Sequence, residues 1–234
     1  LYISFLCYKK KFGSTIERTF YKDYTVAKLV DRLLQRRAAV FYGRQDKFML
    51  LDGFANCGGW ETIGKDFEQP PRILENCLSY DEIKLSTFLS VSSYTYFINN
   101  GNRDNSGRYC DERELLEDEG IIIGLIGPRF KKPEVMEYQE IVVTREQNIQ
   151  GKGYGKLLVP TLQSHFLNFY GEPSLTYDEL NHEFTNKNKY TELSGQKYFN
   201  NDVYKKRISL SFDTLLLEGN FRAQNTNRMA YIYV

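Results

Sequence analysis

Short apolar segments and amphipathic segments alternate along the whole chain, and no repeat, low-complexity tract or linker interrupts them. Helical spacing and capping signals predict helices at 25–38, 79–89, 111–119, 157–170, 176–184 and 202–219. Compact apolar or β-branched runs predict strands at 1–8, 39–42, 47–51, 94–98, 121–126, 136–144 and 229–234. Strands that alternate with helices favour a single α/β domain over residues 1–234, with a mixed, partly parallel sheet flanked by helices.

The balance of charges argues against a nucleic-acid-binding protein. There are 31 basic and 30 acidic residues, interspersed, for a net charge of +1, whereas phosphate binding requires a basic excess or a basic stripe. No apolar run of about 18 residues is present, so we expect no membrane span. The lysines at 9–11 follow the apolar start instead of preceding it, which is the wrong order for a signal peptide. We therefore expect a cytoplasmic protein.

The cysteines and histidines predict neither a disulfide framework nor a metal site. The four cysteines lie far apart and form no CxxC pair, and there are only two histidines. Structural zinc needs clustered Cys and His ligands. We expect reduced cysteines, no metal and no cofactor, and the sequence gives no indication of the oligomeric state.

A glycine-rich run, Gln150 to Gly155, lies between a predicted strand and a predicted helix. It resembles the acyl-CoA loop of the GNAT acetyltransferases, in which N–H groups at a helix N-terminus hold a pyrophosphate. The segment 171–201 does not offer the strand that such a fold needs next. An acetyl-CoA-dependent acetyltransferase and a glycine-rich surface turn are both open interpretations.

A second set, Arg44, the Ser90–Ser92 segment and Glu137 or Glu140, resembles the Arg, Ser-x-Ser and Glu residues of the mono-ADP-ribosyltransferases. In that family the arginine holds a phosphate of NAD and the glutamate stabilises the oxocarbenium-like ribose. The resemblance implies an NAD-dependent transferase built on Arg44, Ser92 and Glu140 as a further alternative.

A third set follows the predicted strand 94–98, which ends in Asn99, Asn100 and Gly101. Ligands bind at the carboxyl ends of strands in open α/β sheets, and an asparagine amide offers a donor and an acceptor to ribose hydroxyls. The same residues also suit an ordinary Asn/Gly turn. Both interpretations are open from the residues alone.

Several blocks occur along the chain in one order, at residues 78–83, 95–103, 119–130, 136–139, 144–148, 202–207 and 230–234. Together and in this order they resemble the MavL-like family. The resemblance implies a macrodomain-like fold related to poly(ADP-ribose) glycohydrolases, ADP-ribose or an ADP-ribosylated protein as the partner, and hydrolytic removal of ADP-ribose from modified protein. An effector member of this family would act in a host cytosol. A module that binds ADP-ribosylated partners without turnover is the remaining alternative.

The resemblance also implies a binding site. We expect Asn99, Asn100 and Gly101 to contact the distal ribose and Arg103 or Asn105 to lie near a phosphate. Ser92 and Ser93 are expected to border the site, together with Gln139.

The catalytic prediction concerns a carboxylate, because glycosidic cleavage through an oxocarbenium-like state needs one or a positioned water. Glu137 is expected to assist the cleavage and to share one strand face with Gln139, and Glu140 on the opposite face stays possible. The family's phosphate loop and its main acidic residues match no position up to Val234, so we expect the fold to be incomplete at its C-terminus.

Overall fold

The computed structural model describes residues 1–36, 40–42, 46–50, 52–99, 108–112, 118–183 and 188–232. The chain divides into two compact units. The first unit comprises Leu1–Phe88 and Gly127–Leu210, and the second unit comprises Leu89–Ile126 and Ser211–Val234. The single domain expected over residues 1–234 stays a prediction.

The first unit begins with three helices, α1 (Tyr2–Phe12), α2 (Thr15–Tyr21) and α3 (Val26–Gln35). Ser14 and Glu17 form a capping box at the start of α2, and the Thr25 side chain caps α3. Such caps satisfy N–H groups that have no partner within the helix. The helix predicted at 25–38 is thus confirmed as far as the described residues extend.

Helix α1 corrects the strand that the sequence predicts at 1–8. Phe5, Leu6 and Lys9 are buried on this helix, and residues four apart lie on the same helical face. A short apolar run cannot be assigned to a strand or a buried helix by periodicity alone. The tertiary contacts of Phe5, which stacks edge-on against Tyr21 with ring centroids 5.6 Å apart, decide the outcome.

Helix α4 (Tyr80–Ser86) starts at the predicted capping box of Ser79 and Glu82. Buried ion pairs connect it to the first three helices. Lys9 on α1 contacts Glu17 on α2 at 2.5 Å and Asp81 on α4 at 2.8 Å. Burial raises the pKa of the Asp81 carboxyl, but the charges of Lys9, Lys84 and Lys65 and the hydrogen bond from Lys9 together lower it to about 2. Removing one member of such a buried pair is costly, because it leaves the other charge uncompensated.

Two small antiparallel sheets belong to the first unit. Strands β1 (Val40–Tyr42), β2 (Lys47–Met49) and β3 (Ala55–Cys57) pair in sequence order. The second sheet has the order β6-β8-β7, with β6 at Val142–Val143, β7 at Tyr190–Leu193 and β8 at Lys197–Asn200. The β7–β8 hairpin lies in a segment that the sequence predicts to be polar, helical or irregular, and that prediction is wrong for residues 190–200.

The segment expected to be one strand at 136–144 is a turn of helix followed by a two-residue strand. Helix α5 (Tyr138–Ile141) is a single turn that leads directly into β6. The residues before it are tightly bent, since Glu134 and Met136 adopt φ values of 64° and 53°. The strand-face argument for Glu137 and Gln139 is therefore wrong, because a turn of helix does not alternate side chains between two faces.

The remaining helices are α6 (Leu162–Phe169), α7 (Tyr177–Glu183) and α8 (Asn201–Thr226). Helix α6 starts later than predicted, at the Thr161 cap. Helix α8 is capped by Asn200 and not by Asp202, since the Asn200 side chain accepts hydrogen bonds from the N–H groups of residues 202 and 203 at 3.1 Å. The helix also continues through Gly219, which the sequence indicates as its end.

The second unit contains strands β4 (Val91–Tyr96) and β5 (Glu119–Gly124), which pair antiparallel, and the part of α8 that follows Leu210. The expected helix at 111–119 is not seen in its described positions, since residues 111, 112 and 118 are irregular and β5 starts at Glu119. Residues 229–232 are irregular instead of forming a strand.

Helices combined with small sheets confirm the predicted α/β class. All strand pairs within the described ranges are antiparallel, so the parallel pairing expected from the alternation of strands and helices is not among them. In the part of the chain that the structure describes, no helix has the length and apolar character that crossing a membrane requires.

Candidate functional site

A cluster of buried polar side chains surrounds α5 in the first unit. Glu137 immediately precedes the helix and is 1% exposed. Its Oε1 accepts a hydrogen bond from Nε of Arg207 on α8 at 3.3 Å, and its Oε2 accepts one from the backbone N–H of Arg129 at 3.2 Å. Arg207 is itself fully buried. This carboxylate is thus held by two donors inside the protein.

Lys84 on α4 joins the other two polar residues of the cluster. Its ammonium group donates to Oε1 of Glu140 at 2.6 Å and to Oε1 of Gln139 at 2.9 Å. It also lies 3.8 Å from the centre of the Phe166 ring, a position in which the negative face of the ring attracts a cation. Lys84 and Glu140 are 2% and 3% exposed, so water screens this pair very little.

Glu140 differs from Glu137 in how its second oxygen is placed. Oε2 of Glu140 is buried and has no hydrogen-bond partner among the described residues. Burial raises the pKa of this carboxyl to about 7, although the nearby Lys84 ammonium opposes the shift and Glu137 adds to it. A carboxyl with a pKa near neutrality can exchange a proton at physiological pH, which is the property a general acid or base needs.

The backbone around Gln139 is fixed by the loop that follows β6. The side-chain amide of Gln147 donates to the carbonyl oxygen of Val142 at 2.8 Å, and the Tyr154 hydroxyl donates to the carbonyl oxygen of Gln139 at 3.0 Å. Asn148 accepts a hydrogen bond from the Thr144 N–H through its side chain. Loop residues that are buried and hydrogen-bonded in this way hold α5 in one position.

The glycine-rich run does not form an anion-binding loop. Residues 150–152 make one 3₁₀ turn, and α6 starts only at Leu162. The N–H groups of residues 152–155 donate to the protein's own carbonyl oxygens, which belong to Ile149, Gln150 and Ser174. A pyrophosphate would need those same N–H groups. The loop therefore gives the acetyltransferase prediction no support.

Three predicted ligand-binding residues lie in the second unit. Ser92 on β4 donates to Oε1 of Glu218 on α8 at 2.7 Å and accepts from Arg222 at 3.0 Å. Ser93 is its exposed neighbour on the strand. Asn99 follows the strand, and its side-chain amide donates to the carbonyl oxygen of Arg108 at 2.8 Å.

The other predicted residues are distributed as follows. Glu137, Gln139 and Glu140 come together in the first unit through Lys84 and α5. Arg44, Asn100, Gly101, Arg103 and Asn105 lie outside the described residues. The site predicted from Asn99 to Asn105 stays a prediction, as does the transferase set of Arg44, Ser92 and Glu140.

Lys84 and Arg207 are members of the cluster that the sequence analysis missed. Each is a cation on the inward, apolar face of its helix. Lys84 follows Tyr80 by four residues, and Arg207 follows Val203 by four residues. All of these side chains are buried. Because an unpaired buried charge is costly, a cation on an apolar helical face indicates a buried anion. That signal was present in the sequence, but it did not identify the partner.

The sequence predicts no metal site, because it shows no cluster of metal-binding side chains. Within the described ranges, no group of three or more His, Cys, Asp or Glu residues is placed to hold a metal ion. The acidic residues of the α5 cluster are instead paired with Lys84 and Arg207.

Comparison with known proteins gives a family and two relatives. A family model described as "ADP-ribosylhydrolase MavL-like" matches residues 1–234. The ADP-ribosylarginine hydrolase CG3568 of Drosophila melanogaster is 42% identical over 245 residues, and the ADP-ribosylarginine hydrolase CG2909 of the same organism is 38% identical over 239 residues. Each match covers 100% of this chain and 47% of the relative, so the chain spans about half the length of these relatives.

Proposed function

The chain belongs to the MavL-like ADP-ribosylhydrolase family, and from that membership we propose that it is part of an enzyme that removes ADP-ribose from modified protein by hydrolysis. The observation that carries the proposal is the family match over the whole chain, supported by the two relatives at 42% and 38% identity. Because both relatives are named ADP-ribosylarginine hydrolases, we take arginine-linked ADP-ribose as the substrate class.

The reaction breaks the bond between the anomeric carbon of the distal ribose and a guanidinium nitrogen. Water supplies the hydroxyl group for the anomeric carbon, and the proton goes to the leaving guanidine, so the products are ADP-ribose and unmodified arginine. The ribose passes through an oxocarbenium-like state, for which a carboxylate or a positioned water is needed. A carboxyl whose pKa lies near the working pH serves best as the proton carrier.

Glu137 and Glu140 are the two carboxyls of this chain that we consider for that chemistry. The pKa of about 7 for Glu140 and its Oε2, which has no hydrogen-bond partner in the described ranges, favour Glu140 as the group that exchanges a proton. The two hydrogen bonds to Glu137 favour a charge that is held in place. Both side chains are buried, so either one needs an opening of the surrounding side chains to contact a substrate.

The binding half of the proposal rests on the segment after β4. Asn99, Asn100 and Gly101 are proposed to contact the distal ribose, Arg103 or Asn105 a phosphate, and Ser92 and Ser93 to border the ligand. The exposed end of β4 supports this, since Ser93 is exposed and the hydrogen bond of Asn99 to Arg108 is near the surface. An asparagine amide in such a place can exchange a backbone partner for a ribose hydroxyl at little cost.

The first test is ligand binding by thermal shift and calorimetry with ADP-ribose, NAD and acetyl-CoA in parallel. A ligand that binds only the folded chain raises its melting temperature according to occupancy. We expect ADP-ribose to stabilise the chain selectively, and Asn99→Ala to reduce that shift without changing the ligand-free melting temperature. Asn56→Ala, on the exposed strand β3, is the matched control. A shift with acetyl-CoA alone, or none with ADP-ribose, would contradict the proposal.

The second test is turnover on a protein that carries ADP-ribose on arginine, with a serine-linked substrate as the comparison. We expect release from the arginine-linked substrate only, and a loss of release in Glu137→Gln or Glu140→Gln with ADP-ribose binding retained. Binding without release from either substrate would favour the module that recognises ADP-ribosylated partners without turnover.

A further inference from the structure

The second unit has no buried side chain among its described residues. It makes up about a quarter of the chain, yet it carries half of the large hydrophobic side chains that are exposed in the described ranges. All the described buried hydrophobic residues, from Phe5 to Val203, belong to the first unit. Apolar burial is the main force that stabilises a folded unit. The second unit therefore presents an exposed apolar surface that a packing partner would bury.

The exposed side of α8 is one part of this surface. Phe212, Leu216, Leu217 and Phe221 are exposed by 41%, 55%, 71% and 60%. At about 100° per residue they spread over roughly half of the helix circumference, with Asp213, Asn220 and Gln224 between them. Large apolar side chains exposed over such an area are typical of a surface that contacts a partner.

The two-stranded ribbon of β4 and β5 is the other part. Val91, Tyr94 and Tyr96 on β4 are exposed by 51%, 77% and 75%, and Ile122 on β5 by 58%. Two strands alone are marginally stable, and three or more with an apolar face are needed for independent stability. Among the described residues no third strand pairs with this ribbon.

Polar contacts connect the ribbon to α8 among the described residues of the second unit. Ser92 is hydrogen-bonded to Glu218 and Arg222, Arg222 is hydrogen-bonded to Glu218 at 2.5 Å, and the Arg222 guanidinium lies 5.0 Å from the centre of the Tyr94 ring. Polar contacts that are partly open to solvent, like these, contribute little to stability. They fix the ribbon against α8 while leaving the large apolar side chains free to contact something else.

The length of the relatives indicates what that partner is. The match covers 47% of each relative, so each relative has about as much polypeptide again outside the matched region. A lipid surface fits less well, because the exposed side of α8 carries Asp213, Asn220 and Gln224 where a membrane-binding helix carries lysines and arginines. We propose that the apolar surface of the second unit is the docking surface for the polypeptide that corresponds to the unmatched part of these relatives.

The experiment compares the chain by itself with a chimera in which the chain replaces the matched region of the Drosophila protein CG3568. Hydrogen exchange is measured at the amides of β4, β5 and the second half of α8. We expect strong protection in the chimera and rapid exchange in the chain by itself. Leu217→Glu is expected to lower the melting temperature of the chimera by several degrees and to leave that of the chain unchanged, because the new charge is buried only when the partner is present.

Ile3→Glu is the matched control, since Ile3 is also helical and is 68% exposed, and it should change neither protein. Exchange that is equally fast in both proteins would overturn the proposal. So would a reversible dimer of the chain that Leu217→Glu dissociates, which would make a second copy the occupant. Should the chimera fail to fold, the same two substitutions at the aligned positions of full-length CG3568 give the same comparison. These measurements report stability and exchange, so they are independent of whether the proposed hydrolysis occurs.

Discussion

The ion pair between Lys84 and Glu140 shows how strongly burial changes the pKa of a side chain. Both residues would be ordinary solvated charges on the surface. In this fold they are 2% and 3% exposed and lie 2.6 Å apart, and Glu140 keeps one oxygen without a hydrogen-bond partner in the described part of the chain. Burial disfavours the ionised carboxylate more than Lys84 favours it, so the pKa of Glu140 is raised to about 7.

Replacing Glu140 by glutamine should flatten the pH dependence of stability. The folded pKa of about 7 lies above the usual value of 4.5, so the folded state binds more protons than the unfolded state between these two pH values. The stability that Glu140 contributes is therefore fully present below about pH 4.5 and is lost as the pH rises through 7. Urea unfolding from pH 5 to pH 8 should show this decline in the native chain and a smaller one in Glu140→Gln.

The control for that measurement is Glu134→Gln. Glu134 forms an ion pair with Lys152 at 2.7 Å, but both side chains are more than 40% exposed, so its removal should leave the pH dependence unchanged. An equal decline in the native chain and in Glu140→Gln would show that other groups cause it.

Replacing Lys84 by methionine should destabilise the fold by about 3–5 kcal/mol at pH 8, which is typical when one partner of a buried ion pair is removed. The loss should be smaller at pH 5, because Glu140 can then bind a proton and become neutral. Chemical unfolding of Lys84→Met, Glu140→Gln and the double variant gives the coupling energy between the two residues. Additive single losses would mean that the pair contributes nothing beyond its separate side chains.

Helix starts are where the elements of this chain agree best with its sequence. Thr25, Ser79 and Thr176, where the sequence predicts that helices start, each accept a hydrogen bond from a backbone N–H of the first helical turn. A cap acts over three or four residues, so its signal is local and can be read directly. Helix α8 is an exception, because Asn200 and Asp202 are both suitable caps and the preceding strand β8 determines which one is used.

Asn200→Ala should therefore cost about 1 kcal/mol of stability, the usual value for a lost cap. Asp202→Ala should cost less, since the Asn200 oxygen already accepts from the N–H of residues 202 and 203. Guanidinium unfolding of the two variants compares the losses directly. A larger loss in Asp202→Ala would identify Asp202 as the cap instead.

At the scale of the whole molecule, the two units differ in how they are stabilised. The first unit has buried apolar clusters, one of which contains Ile141, Tyr154, Leu167, Tyr170 and Val203, as well as several buried ion pairs. The second unit has a ribbon, part of α8 and polar contacts. Local stability follows buried apolar contact and protected backbone hydrogen bonds.

Native-state hydrogen exchange on the chain by itself should separate the two units. The amides of β4 and β5 should exchange at least about tenfold faster than those of α3 and α4, because their opening exposes almost no buried apolar surface. Mass spectrometry of proteolytic peptides resolves these segments. Equal protection of both regions would show that the second unit is stabilised to the same extent as the first.

The sequence by itself determined the α/β class, several helix starts and the family resemblance. These properties depend on the local spacing of residues, on composition or on the order of similar sequence blocks, and all three can be read from a sequence. It misassigned α1, α5 and the β7–β8 hairpin, because short apolar or polar runs fit more than one backbone conformation until their neighbours are known.

Only the tertiary structure decided what the polar residues around α5 do. Glu137, Gln139 and Glu140 are close in the sequence, but Lys84 lies 56 residues from Glu140 and Arg207 lies 70 residues from Glu137. A pKa depends on desolvation and on charges brought close in space. The pairing of these cations with these carboxylates, and the raised pKa of Glu140, therefore arise only when distant helices pack together.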